Sequence, residues 1–150
     1  MKISTKGRYG LRALLDLAVY GVVEQVPVRN IAARQNISEN YLEQVFSALK
    51  KAGLVKSVKG AQGGYTLVEN PSQIRVGTVL RILEGDLSVM DDLEDVGGSR
   101  EIRKIRATIK RNIWDPMDIG ISEVVDGITI ADLAGEYQTL LGKKAYMFYI

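Results

Sequence analysis

The sequence Ile37-Ser-Glu-Asn-Tyr-Leu-Glu-Gln-Val-Phe-Ser-Ala-Leu-Lys-Lys51 decides the fold. Its apolar side chains recur at the spacing of an amphipathic helix with one buried stripe, formed by Leu42, Val45, Phe46 and Leu49. Ser38 is a good N-cap, because its hydroxyl can accept a hydrogen bond from an unpaired N–H of the first turn. Gly53 supplies a left-handed C-cap. The pattern therefore predicts a helix from Ser38 to about Ala52.

Two helices are predicted upstream of this segment. The first has an apolar stripe made of Leu11, Leu14, Leu15, Ala18, Val19 and Val22. The second runs from about Val28 to Gln35, and a tight link through Asn36 leads to Ser38. Downstream, Leu54–Lys59 and Tyr65–Val68 are typical of two short strands joined by a flexible glycine-rich hairpin loop. This order of elements is that of a winged helix-turn-helix.

The second half of the chain begins after a helix that Gly85 ends. Residues 86–99 read as an acidic linker, and Ser99 is a candidate cap for a helix that stops near Asp115-Pro116. A loop of about ten residues follows, and Thr129 with Asp132 resembles a capping box before the last helix. We therefore expect a mainly α fold with a small β-hairpin wing. Its parts are a winged helix-turn-helix domain (1–85), the linker (86–99), and a long dimerisation helix with a C-terminal helix and tail (100–150).

The amino-acid composition excludes several kinds of catalytic and metal-binding site. The 150 residues contain neither cysteine nor histidine, which removes disulfides, thiolate metal sites and the usual Ser-His-Asp relay. An enzyme using Asp or Glu chemistry stays open, but no paired carboxylates flank an expected cleft. We predict a non-enzyme with no metal and no cofactor. No apolar run reaches the length of a membrane helix, and no secretory signal is visible, so we expect a cytoplasmic protein with no membrane partner.

The polar face of the helix after Ser38 indicates DNA binding. It presents side chains that can contact base edges or phosphates in a major groove: Asn40, Glu43, Gln44, Ser47 and Lys51. Further cations surround it, namely Lys6, Arg8, Lys50, Lys56 and Lys59. Gly60 and its neighbouring glycines would let the wing approach a duplex closely. The alternatives are a solvated helix face with an ordinary hairpin, and a winged-helix module that binds only protein.

The helix after Ser99 carries a narrow apolar stripe of Ile102, Ile105, Ile109 and Ile113. A stripe of this kind needs a partner, and we predict that it forms the interface of a homodimer. The alternative is packing on its own domain. The many Arg and Lys side chains of the same helix are interpreted as a solvated face.

Residues 1–85 resemble the Rrf2 family of bacterial winged-helix transcription regulators. The matching segments are Met1-Lys-Ile-Ser-Thr-Lys-Gly-Arg-Tyr-Gly10, Ile37–Val45, and Gly53–Gly60 leading into Gly63-Gly-Tyr65. The resemblance continues more weakly through the isoleucine helix and Thr129–Leu133. It implies that double-stranded operator DNA is the partner, that Ser38 and Tyr41 lie nearer phosphates, and that Glu43 accepts from a cytosine. Lys59 stands where iron–sulfur members have a wing arginine.

The chain departs from the iron–sulfur members of that family, which hold a cluster with three cysteines and often a histidine. Residues 90–100 offer none of these ligands. The resemblance is stronger to the cysteine-metabolism repressors of the family, around Leu93-Glu-Asp95 and in the tail Tyr146-Met-Phe-Tyr-Ile150. It implies a repressor of cysteine and sulfur metabolism genes. A redox-type regulator acting without its cluster is the alternative.

The tail has a second implication through the same resemblance. Cysteine synthase accepts partner proteins that end in isoleucine, so Tyr149 and Ile150 are candidate docking residues for that enzyme. The alternative is that the tail aromatics pack into the dimer.

Overall fold

A computed structural model of the chain describes residues 2–91 and 97–148. Seven α-helices lie in these residues: α1 Thr5–Tyr20, α2 Val28–Gln35, α3 Glu39–Lys51, α4 Val76–Glu84, α5 Arg100–Ile109, α6 Asp115–Asp126 and α7 Ile130–Phe148. Strands β1 Val55–Val58 and β2 Gly64–Leu67 form an antiparallel hairpin between α3 and α4. The mainly α fold with a small hairpin is thus confirmed.

The core lies between α1, α2, α3 and α4. The stripe of α3 is buried, with Leu42, Phe46 and Leu49 each 0% exposed. The stripe predicted for α1 was partly wrong, because the helix ends at Tyr20 and leaves Val22 outside it, 77% exposed. Leu14 and Leu17 are the fully enclosed leucines of that helix instead.

The turn between α2 and α3 forms as the sequence predicts. Asn36 adopts a left-handed conformation (φ 53°), and the Ile37 N–H donates to the carbonyl of Ala32. The side chain of Ser38 then accepts a hydrogen bond from the Tyr41 N–H at 3.3 Å. Since asparagine tolerates the left-handed region better than most residues, the turn is compact and fixes the angle at which α3 leaves α2.

The predicted end of the isoleucine helix is wrong. Helical backbone continues from α5 through a π-helical turn, Lys110–Trp114, directly into α6, where a loop of about ten residues was expected. Pro116 lies in the first turn of α6, where its missing N–H costs little, and the wider π turn before it accommodates the ring. Two hydrogen bonds from Arg81 to Asp126, at 2.7 and 2.9 Å, hold α6 against α4.

The C-terminal helix is joined to the same core. The Thr129 N–H donates to Asp132 at 2.9 Å and the Asp132 N–H donates to Thr129 Oγ1 at 3.0 Å, so the predicted capping box is confirmed. The hydrogen bond from the Thr129 backbone lowers the pKa of Asp132. Ile130 is 0% exposed, and its N–H donates to the carbonyl of Ile74 at 2.9 Å.

Several sequence predictions fall outside this description. The middle of the acidic linker, residues 92–96, and the proposed docking residues Tyr149 and Ile150 lie outside the described residues. The backbone of Ala145–Phe148 belongs to α7. Within the described ranges, no helix combines the length and apolar character that crossing a membrane requires.

Candidate nucleic-acid interface

Helix α3 presents a continuous polar face, because its apolar residues all turn toward the core. The five residues predicted to contact DNA are exposed on the other side: Asn40, Glu43, Gln44, Ser47 and Lys51. The Ser38 oxygen accepts the cap hydrogen bond, which leaves its hydroxyl hydrogen able to donate to a phosphate. The geometry therefore suits a helix that enters a major groove with its N-terminal half.

A groove of about 350 Å³ runs between the N-terminal half of α3 and the wing. Glu43, Lys59 and Gly60 all line it, so the structure brings together one predicted residue of the helix and two of the wing. Arg29 of α2 and Tyr65 of β2 line the same groove and were missed from the sequence. Arg29 is exposed beside the buried Val28 of α2, and the apolar pattern of that helix gives no sign that it belongs to a site.

The groove is lined by both negatively and positively charged side chains. Tyr65 stacks on Phe46, with ring centroids 4.8 Å apart. Burial raises the pKa of Tyr65, and the negative charge of Glu43 raises it further. Glu43 is thus a carboxylate beside a neutral phenol and near Lys59, a set that offers both an acceptor and donors to a base edge.

The wing is anchored, whereas the sequence predicted a flexible loop. Gln25 donates a hydrogen bond to the carbonyl of Gln62 at 2.6 Å, and Val26 pairs with Tyr65 outside the hairpin. A side chain at Gly64 would place its Cβ 2.4 Å from the backbone of Val26, so only glycine permits this approach. Gly60, with φ 120°, turns the chain at the tip beside the exposed Lys59.

The cations around α3 make different contacts. Lys50 donates to Ser57 at 2.8 Å, which turns its ammonium toward β1. Lys56 lines a separate groove on the outer face of the hairpin, together with Val22 and Val58. Lys51 and Lys59 remain exposed on the side of the recognition face.

The start of α1 adds a second set of cations. Tyr41 packs edge-on against Tyr9, with ring centroids 5.9 Å apart, so Tyr41 is half-buried between the two helices. Arg8 lies over the ring of Tyr9 at 5.7 Å and donates to Thr5. Lys6 is exposed in the first turn of α1. Tyr9 therefore connects the N-terminus of α1, and Arg8 with it, to the first turn of α3.

The isoleucine stripe is exposed over its whole length. Ile102, Ile105, Ile109 and Ile113 are 45%, 62%, 41% and 47% exposed. Met117 continues the apolar surface into α6 and is 46% exposed. The described residues of its own domain therefore leave this stripe largely uncovered.

The donor set does not fit an iron–sulfur cluster, because the chain has no cysteine or histidine to ligate iron. In the part of the chain that the structure describes, no three acidic side chains come together as ligands for a metal ion.

Comparison with known proteins gives consistent matches. The profile of the Rrf2 family, described as an iron-dependent transcriptional regulator, matches residues 3–136. The HTH-type transcriptional regulator CymR of Bacillus subtilis is 43% identical over 150 residues, covering 100% of both chains. The solved structure of CymR, described as the global cysteine regulator of B. subtilis, superposes with a TM-score of 0.76. It is 41% identical, and the match covers 91% of this chain and 98% of that one. The HTH-type transcriptional regulator IscR of Vibrio atlanticus is 36% identical over 140 residues, covering 93% of this chain and 79% of its own.

Proposed function

Since the chain belongs to the Rrf2 family of transcriptional regulators, we propose that it is a homodimeric repressor of cysteine and sulfur metabolism genes. It binds operator DNA in the cytoplasm with α3 in the major groove and the wing beside it. Each protomer reads one half of a dyad-symmetric site.

The groove between α3 and the wing carries this proposal. Glu43 of α3 and Lys59 and Gly60 of the wing line this one groove from two separate elements. The wing beside this helix face is itself held in place, because Val26 and Gln25 bind it to the segment between α1 and α2. The arrangement favours a helix and a wing that engage the same ligand, and a duplex is long enough to reach both.

Selection from random duplex DNA tests the proposal. The full chain is incubated with the library at several salt concentrations, and the bound sequences are read. We expect palindromic sites, with log affinity falling linearly with log salt by about 0.9 per phosphate neutralised. A flat salt dependence and no enriched sequence would contradict DNA binding and favour a protein-binding module.

The homodimer is supported by the exposed isoleucines. Four isoleucines between 41% and 62% exposed along one helix form an apolar surface that water disfavours. Their spacing places them along one side of α5 and the π-helical turn. A second copy of this helix would cover them, and the two recognition helices would then face one duplex.

The assignment to cysteine metabolism rests on the match to B. subtilis CymR over the full length of both chains. The missing cluster ligands separate the chain from a sensor that uses iron–sulfur chemistry. We expect the protein purified without oxygen to contain no iron by mass spectrometry and to be colourless. Stoichiometric iron with visible absorption would favour the alternative, a cluster-type regulator of the same family.

The partner proposal for the tail concerns Tyr149 and Ile150. The carboxylate of Ile150 suits the active site of cysteine synthase, where it would take the place of the carboxylate of the amino-acid substrate. Calorimetry with cysteine synthase compares the full chain with one lacking Ile150. We expect binding by the full chain alone and competition by O-acetylserine. Equal affinity of both chains would leave the tail as packing in the dimer.

A further inference from the structure

The first turn of α1 is held by a carboxylate from another helix. Glu84, the last residue of α4, accepts two hydrogen bonds from Ser4 through one oxygen. The Ser4 backbone N–H donates at 2.9 Å and the Ser4 hydroxyl at 2.6 Å. The Ser4 oxygen in turn accepts from the Gly7 N–H at 3.3 Å and caps the helix. Because the hydroxyl hydrogen is directed at Glu84, the lone pairs of the oxygen are left for this cap.

Two glycines of α1 give this carboxylate its place. A Cβ at Gly7 would overlap Oε1 of Glu84, and a Cβ at Gly10 would overlap the side chain of Leu83. The same Cβ at Gly10 would also lie 3.2 Å from Val45 of α3. Glycine at these two positions therefore lets α1 approach α4 closely, and the second position also lies against α3.

The turn that Glu84 holds carries two of the cations predicted to contact DNA. Lys6 and Arg8 are both exposed in it. The Arg8 N–H donates to the carbonyl of Ser4 at 3.0 Å, so the backbone of Arg8 depends on the same serine. The guanidinium of Arg8 lies over Tyr9, and Tyr9 packs edge-on against Tyr41 in the first turn of α3. The position of these cations beside α3 is thus set at Ser4.

We propose that Glu84 is a positioning residue for DNA binding, which orders the first turn of α1 so that Lys6 and Arg8 meet phosphates beside α3. The inference rests on the proposed DNA-binding function and names the residue of α4 on which the contacts of α1 depend. Glu84 touches no DNA in this arrangement. Its negative charge on its own would repel phosphates, and its favourable effect on binding comes through Ser4.

The chemistry of a helix start explains why a carboxylate is used here. The first turn of a helix has N–H groups with no partner in the helix, and it opens readily when nothing holds it. A carboxylate is favoured at this positive end, and hydrogen bonds to an ionised acceptor are stronger than neutral ones. Only chains with this turn formed present both cations, so the affinity follows the fraction of chains in which it is formed.

Two substitutions of Glu84 test the proposal. Glu84→Ala removes both hydrogen bonds, whereas Glu84→Gln removes the charge and keeps an oxygen that can accept them. Affinity is measured for the duplex that the full chain selects from a random library. We expect Glu84→Ala to bind about three-fold more weakly, as when the turn is formed in about a third of the chains, and Glu84→Gln to bind at least as tightly as the parent.

The sign of the effect separates positioning from charge. Loss of a negative charge alone strengthens the attraction of DNA, so a simple charge effect predicts tighter binding by Glu84→Ala. Glu136→Ala, at an exposed position of α7, is the matched control and should bind no more weakly than the parent. Affinity of Glu84→Ala equal to or above that of the parent would overturn the proposal.

The salt dependence separates positioning from a loss of folded protein. A smaller folded fraction lowers the affinity by the same factor at every salt concentration. Lost phosphate contacts instead reduce the slope of log affinity against log salt by about 0.9 each. We expect a reduced slope for Glu84→Ala, and a smaller loss from Arg8→Ala in that background than in the parent. An unchanged slope would overturn the proposal.

Gly7→Ala reaches the same turn by a second route. Its methyl group would overlap the end of the Glu84 side chain, which is flexible and can move away while the helix stays intact. Alanine also favours helix more than glycine does. We expect Gly7→Ala to weaken binding as Glu84→Ala does and to add no further loss in the Glu84→Ala background. Parent affinity for Gly7→Ala would contradict the proposal.

Amide hydrogen exchange gives a readout that does not depend on DNA. The N–H groups of Gly7 and Arg8 both donate to Ser4, and we expect them to exchange faster in Glu84→Ala and at the parent rate in Glu84→Gln. Equal rates in the parent and both variants would overturn the proposal. If the parent binds no duplex, the proposed function fails, whereas these rates still decide whether Glu84 orders the turn.

Discussion

Helices α3 and α5 have the same kind of sequence pattern and opposite surroundings. In α3 the apolar stripe Leu42, Val45, Phe46 and Leu49 is at most 1% exposed. In α5 and the turn that follows, the four isoleucines are 41% to 62% exposed. Both stripes recur at helical spacing, and both helices begin at a serine cap whose side chain accepts from an N–H of the first turn.

The periodicity of a helix therefore identifies the face that needs covering but not the chain that covers it. The stripe of α3 is covered by α1, α2 and α4 of its own chain. The stripe of α5 meets no such layer in the described residues, which is why we propose that a second copy of the chain covers it. The two helices also use opposite faces in the proposed function. Helix α3 turns its polar side toward DNA, and α5 turns its apolar side toward a second copy of the chain.

The largest effect is expected when charges are placed on the stripe of α5. Ile105→Asp with Ile109→Asp removes about 1.5–3 kcal/mol of burial for each isoleucine and adds desolvated carboxylates to the proposed interface. We expect sedimentation to give monomers that retain the helical circular dichroism of the parent. The control is Ala107→Asp on the opposite side of the same helix, which should stay dimeric. A dimeric double variant would place the interface elsewhere.

The second effect concerns the stripe of α3. Phe46→Ala should lower the free energy of unfolding by about 3–5 kcal/mol, because it empties a fully buried site. Chemical denaturation at two protein concentrations measures it, and this loss should be the same at both. Ser47→Ala, on the exposed side, is the control and should change stability by less than about 0.5 kcal/mol. A small loss for Phe46→Ala would mean that α3 is no better covered than α5.

The third effect concerns specificity at the polar face of α3. If Glu43 accepts a hydrogen bond from one base, Glu43→Ala should relax the preference at one position of each half-site by about 1–3 kcal/mol. Affinity for unrelated DNA should hold or rise, since a negative charge is removed. The base preferences of variant and parent are obtained by sequencing the duplexes that each selects. Identical preferences would show that Glu43 is a surface charge that does not select a base.

The smallest effect separates two exposed cations. Lys59→Ala should weaken binding to all duplexes alike and reduce the salt slope by about 0.9, the contribution of one phosphate. Arg103→Ala on α5 removes the same charge away from the recognition face and should leave the slope unchanged. Equal slopes for the two variants would mean that total charge matters and the wing does not.

The sequence predicts the local features of the fold well. The caps at Ser38 and Ser99 and the box of Thr129 and Asp132 follow from short-range hydrogen bonds, so their chemistry is visible in a few letters. The sequence does not predict the continuation through Pro116, because a proline usually ends a helix and is compatible with helical backbone only in a first turn, where Pro116 lies. The position of Pro116 in that first turn depends on the π-helical turn before it, which no residue pattern predicts.

The site is predicted less completely than the fold. The exposed side of α3 follows directly from its buried side, which is why Asn40 and Gln44 are exposed as the pattern predicts. Arg29 and Tyr65 were missed because they join the groove only through the pairing of Val26 with β2. Contacts between segments this far apart in the chain depend on the whole fold, and one sequence gives no sign of them.

The anchored wing has a consequence for the thermodynamics of binding. Ordering a backbone residue costs roughly 1–2 kcal/mol of conformational entropy, and a free loop would lose it when it meets the duplex. In this chain the pairing of Val26 with Tyr65 and the hydrogen bond from Gln25 restrict residues 60–64 before any ligand arrives. The cost of ordering this loop is then part of folding, so the contact proposed for Lys59 at the tip would add nearly its full value to the affinity.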